Sequence, residues 1–155
     1  MDQAAYLHLL RDRRARFHAV LGELGRSLDS DEALVSLVGG GWTLGEHLVH
    51  IAAWERRTAR TVTESEPLPH PNPWQKFNDS VYEQWEGVEP DAARREYEEA
   101  HTEFVEAVES LPEDGDQYDG WHLGTMPGHY REHATILLEA AGRPKPPVWR
   151  GRIVE

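Results

Sequence analysis

The chain has 155 residues, a formal net charge of −12, nine histidines, six tryptophans and no cysteine. That length suits one domain with a sizeable core, and the lack of cysteine excludes disulfides, zinc–thiolate sites and a cysteine nucleophile. The negative charge opposes binding to nucleic acid or to an anionic membrane, since both need a positive field, and no run of 18 apolar residues offers a membrane span. Charges within the first twenty residues stand where a signal peptide would be apolar, so we expect a cytoplasmic protein. Any transition metal would be held by His, Asp or Glu.

In chain order, residues 3–28 predict a long helix. Tyr6, Leu9, Leu10, Phe17, Val20, Leu21, Leu24 and Leu28 follow a 3.6-residue stripe. A short apolar piece, EALVSLV, precedes a break at GGG, residues 39–41. The second helix is expected over about 44–63, with Thr43 and Glu46 in a capping box. A proline-rich loop leads to a third helix over 74–86. Pro90 and Asp91 suit the start of a fourth, over 91–110. The last helix is expected over about 127–141, opened by Pro127 and closed by Gly142. The tail, 143–155, packs along the bundle through Trp149 and Ile153 or is partly loose. Helices without a convincing alternating strand give an all-α bundle, taken as one domain over 1–155 with its core at about 3–142.

The candidate chemistry is histidine. His129 and His133 are i, i+4 on the last helix and share a face. His47 and His50 are three apart on the second. A bundle can point imidazoles from two helices at one interior point, and a catalytic site commonly has three protein ligands. Spacing alone leaves equally open that these rings are half-buried, hydrogen-bonded polar residues. The pattern is not that of the HExxH metalloproteases, because Glu132 immediately precedes the second histidine.

The segments GWTLGEHLVHIAAWE and HYREH together resemble the DinB-like superfamily of up-down four-helix bundles, with one additional short helix here. In that family a Trp opens the second helix and a ligand His follows eight positions later. Trp42 and His50 match that offset, and His47 does not. The resemblance implies a metal site of His50, His129 and His133 holding Zn²⁺ or Ni²⁺. The middle of the chain is most similar to the ClbS/DfsB branch, on Asn78 and Tyr82. What the resemblance implies is a metal-dependent hydrolase or thiol S-transferase. It would act on a small-molecule substrate, a reactive electrophilic metabolite or natural product, and so provide detoxification and self-resistance. A low-molecular-weight thiol cosubstrate is one option, since the chain has no thiol. A homodimer is a compatible assembly.

Around this site Asn78, Tyr82 and His122 are the expected catalytic or orienting groups, His122 from a loop before the last helix. His47, Trp54, Trp74 and Trp85 are expected to contact substrate. Glu55 is expected in a surface salt bridge, Trp121 in the core, and His70 and His101 as surface or core polar residues. A protein that sequesters a drug or metabolite in an aromatic pocket without turnover is the alternative, and a metal-free dimerisation module is a third.

Overall fold

The computed structural model describes residues 1–144; the tail contacts expected of Trp149 and Ile153 lie outside the described residues. Four long helices carry the core: α1 (Gln3–Glu23), α3 (Leu44–Thr63), α5 (Pro90–Glu109) and α6 (Trp121–Ala140). A single turn, α2 (Asp31–Leu34), and a shorter helix, α4 (Trp74–Trp85), complete the α-helices among the described residues, and a short 3-10 helix (Asp116–Asp119) precedes α6. The fold is all-α, as the periodicity predicts. α3 packs on α5, α6 and α4, and α1 packs on α6 and α5. Tyr6, Leu10 and Phe17 of α1 meet Leu48 and Ile51 of α3, Tyr97 and Phe104 of α5, and Tyr130 and Leu137 of α6 in one cluster. Among the described residues no helix is long and apolar enough to cross a membrane.

Three expectations about the backbone are corrected. First, α1 stops at Glu23, short of residue 28. Gly25 adopts φ +65°, and the Arg26 N–H donates to the Leu21 carbonyl at 2.8 Å. A left-handed glycine with this backward bond closes a helix.

Second, a short antiparallel hairpin replaces the simple break at GGG. Strand β1 (Leu37–Gly39) pairs with β2 (Trp42–Thr43), and Gly39 faces Trp42. Gly40 and Gly41 have φ +64° and +79°. Positive φ at both central residues is the type I′ geometry that matches strand twist, and glycine reaches it without steric cost.

Third, α6 begins at Trp121, six residues before the expected start, with Pro127 inside it. A proline there cannot donate to the carbonyl four residues back, at Leu123. The Tyr6 hydroxyl supplies the missing donor, reaching the Leu123 carbonyl at 2.8 Å in the buried core. The gap in the helix ladder is filled from α1, so the helix runs on.

The boundaries of α3 match the expected ones. Thr43 Oγ1 accepts the Glu46 N–H at 3.1 Å, and Glu46 Oε2 accepts the Thr43 N–H at 2.7 Å. Glu46 does further work through Oε1, which accepts the Gly87 N–H at 2.9 Å and ties the α4–α5 turn to this helix start. Glu55 is not on the surface. It is fully buried, and its Oε1 accepts the Tyr130 hydroxyl at 2.6 Å and lies 3.0 Å from His101 Nδ1.

Removing the cap while keeping Glu46 tests this reading of α3. Thr43→Ala should lower unfolding free energy by about 1 kcal/mol, the usual cost of an N-cap, measured by chemical denaturation. An unchanged midpoint would contradict it.

Candidate metal centre

α3 delivers His50, and two successive turns of α6 deliver His129 and His133. Their ring centroids form a near-equilateral triangle of 5.2, 5.1 and 4.7 Å. Each ring offers one nitrogen such that all three atoms lie within 4.8 Å of one another. His133 Nε2 is 3.2 Å from His129 Nε2. A tetrahedral centre with metal–nitrogen bonds near 2.0–2.1 Å sets its ligand nitrogens about 3.3 Å apart, so this pair is already at ligand spacing.

Electrostatics keep these rings neutral, the form a metal needs. Burial, then the neighbouring His47 ring, pushes His50 down to about 4. Burial, then His50 and His47, pushes His129 down to about 3. His133 is held well below the ordinary value, first by burial and then by the rings around it. The buried Nδ1 of His50 has no hydrogen-bond partner in the protein. An orphaned nitrogen of this kind is costly in an apolar wall, and coordination to a cation would satisfy it. The donor set, three neutral imidazoles with no thiolate, fits a divalent transition metal of the zinc, copper, iron or nickel class.

The triad borders a cavity of about 610 Å³, within the range of small-molecule sites. Trp42, Trp54, Trp74 and Trp121 supply indole faces to it, and Glu132 is the carboxylate among the lining side chains. Trp74 and Trp121 are 54% and 43% exposed, so their rings are still open to a ligand. Trp54, Trp74 and Asn78, expected from sequence, are on this wall. The Asn78 carbonyl oxygen accepts the Trp54 indole N–H at 2.9 Å. That contact orients the amide and leaves its NH₂ for a ligand.

Other expected residues lie elsewhere. Tyr82 and Trp85 border a small adjoining recess with Trp42 and His50, and Tyr82 stacks on Trp42 at 5.8 Å. His122 is on the first turn of α6 and not in a loop. It packs edge-on against Trp121 at 5.0 Å and is not among the lining side chains. His47 is buried behind His133 and does not face the cavity.

Sequence reasoning missed Trp121, His70, Thr125 and Glu132 as wall residues. His70 packs against Trp121 at 3.9 Å between centroids. The signal was the four-residue spacing Trp121–Thr125–His129–His133, one continuous helix face. It is hidden when Pro127 is read as the helix start.

Neutral burial has a consequence for the metal-free protein. These histidines have lower pKa values folded than unfolded, so below about pH 6.5 the unfolded chain takes up protons that the folded chain refuses. Stability is therefore full above that pH and is lost as pH falls toward about 4 for His50 and about 3 for His129. The slope approaches roughly 1.4 kcal/mol per pH unit for each such group. Glu132, pushed up by burial, acts in the opposite sense as a single group. Thermal melting of metal-free protein should show a falling Tm between pH 7 and 5; a rising Tm would contradict the assignment.

The DinB superfamily model matches residues 9–142. No curated protein and no solved structure matches the chain. The match spans nearly all the described fold, including both helices that carry the histidine triad, and the chain belongs to the DinB superfamily.

Proposed function

We propose that the protein is a metal-dependent enzyme that destroys a reactive electrophilic small molecule, by hydrolysis or ring opening or by transfer of a low-molecular-weight thiol. The observation that carries this is the convergence of His50, His129 and His133 at the wall of a cavity of about 610 Å³ faced with indole rings. A bound Zn²⁺ or Ni²⁺ would act as a Lewis acid, lowering the pKa of a water or thiol so that a nucleophile exists near neutral pH.

The chain's own groups do the rest. Trp54, Trp74 and Trp121 stack on a planar substrate and exclude water from the reacting face. The free NH₂ of Asn78 donates to a substrate oxygen, held in place by the Trp54 contact. The Glu132 carboxylate is the acceptor for the proton released by water or thiol. Tyr82 acts through Trp42, whose ring it supports.

In this proposal the four long helices form the DinB-type up-down bundle, in a single domain. The protein acts in the cytoplasm as a detoxifying or self-resistance factor, compatible with a homodimer and with the ClbS/DfsB branch. Nucleic acid and membranes are not proposed as partners.

The same indole-lined cavity favours a second reading, stoichiometric sequestration without turnover. The two separate on equivalents consumed. With excess aromatic epoxide or cyclopropane probe, with and without added thiol, catalysis predicts many equivalents lost per chain by liquid chromatography–mass spectrometry. In His133→Ala, the loss should fall to the uncatalysed rate. Consumption that stops at one equivalent per chain, unchanged in the variant, would favour sequestration.

A further inference from the structure

The hydrogen bonds behind the triad determine which nitrogen of His133 is bare. His47, 1% exposed on α3, uses both ring nitrogens. Its Nε2 lies 3.0 Å from the Gly39 carbonyl oxygen, and its Nδ1 lies 2.7 Å from His133 Nδ1. A carbonyl oxygen only accepts, so His47 Nε2 carries the hydrogen. A charge on so buried a ring, bonded to a carbonyl and a second imidazole, would be desolvated without an opposite charge in hydrogen-bond contact, so His47 is neutral, and a neutral imidazole has one N–H. Its Nδ1 is therefore an acceptor, and the hydrogen between the two Nδ1 atoms belongs to His133. That leaves the lone pair of His133 on Nε2, the nitrogen 3.2 Å from His129 Nε2.

The carbonyl that starts this chain is held by a close backbone approach. Gly39 has φ +153°, and a Cβ there would lie 2.9 Å from the Ile136 carbonyl oxygen and 3.1 Å from Ala140 Cβ. Only a residue without a side chain lets β1 lie this close to α6. The hairpin thus touches the ligand helix directly at Ile136 and Ala140 and reaches His133 through one hydrogen-bonded imidazole.

We propose that His47 is a positioning residue: anchored on Gly39, it holds His133 as the Nδ1–H tautomer and presents the Nε2 lone pair to the metal. A partner that sets the tautomer and aim of a ligand histidine commonly contributes 10–100-fold in metal affinity, as an order of magnitude. The metal half of this proposal rests on the metal-centre reading above, while the tautomer half concerns the metal-free chain alone.

Two measurements test it. Long-range ¹H–¹⁵N NMR of the metal-free chain at pH 7.5 should show His133 protonated at Nδ1 and bare at Nε2. In His47→Leu the Nε2–H tautomer should appear. In His47→Gln, which keeps a donor and an acceptor, the wild-type tautomer should persist. Competition with a chromophoric chelator should show Zn²⁺ binding weakened about 10–100-fold in His47→Leu and largely restored in His47→Gln. If His47→Leu fails to fold by circular dichroism, the wild-type spectrum and the Gln variant still decide the tautomer. Nε2–H on His133 in the wild type, or an unchanged tautomer and affinity in His47→Leu, would overturn the proposal. Failure of the wild type to take up Zn²⁺ or Ni²⁺ would overturn the metal reading and the role given to Nε2, and the NMR result would decide the tautomer independently.

Discussion

Four imidazoles packed against one another in a desolvated wall must be neutral, and each of their nitrogens needs a partner. This constraint organises the site. His47 is satisfied at both nitrogens, by Gly39 and by His133. His133 turns its remaining nitrogen toward His129. His50 Nδ1 finds no partner in the protein. Among the imidazole nitrogens of the site, His50 Nδ1 is the buried one left without a partner in the protein, and a divalent cation held by the triad would add interactions that the protein alone does not supply.

Much of the fold serves to hold these rings at that spacing. The capping box starts α3 so that His47 and His50 face inward, and Glu46 joins that start to the α4–α5 turn. The Tyr6 hydroxyl lets α6 continue through Pro127, so that Trp121, His129 and His133 belong to one rigid element. Glu55 sits one helix turn beyond the site in the same interior, bonded to Tyr130 and His101 from two other helices. Its second oxygen has no partner. A buried carboxyl group bonded from α6 and α5 ties those helices to α3, because losing either partner would remove a hydrogen bond from a group that water does not reach.

What could be read from the chain was local. The 3.6-residue stripes, the Thr43–Glu46 box and the i, i+4 pair at His129 and His133 are short-range patterns, and each has its counterpart in the structure. What could not be read depended on distant partners. Pro127 looks like a helix start until a tyrosine more than a hundred residues away fills its gap. Glu55 looks like a surface acid until α5 and α6 bring His101 and Tyr130 to it. The three glycines look like a break, because two short strands carry too few residues for alternation to register. Tryptophan is most often core, and Trp121, expected there, departs from that rule at the cavity wall. His47 faces nearly the same way as His50, and its contact with His133 could not be read from spacing within α3.

The most direct test of the account is the metal content of untagged protein, by elemental mass spectrometry, beside His50→Ala and His129→Ala. The account predicts close to one Zn or Ni per chain, lost in both variants while their helical content is kept. No metal in the wild-type protein, even after reconstitution, would contradict it and leave a cavity that binds ligands without a metal centre.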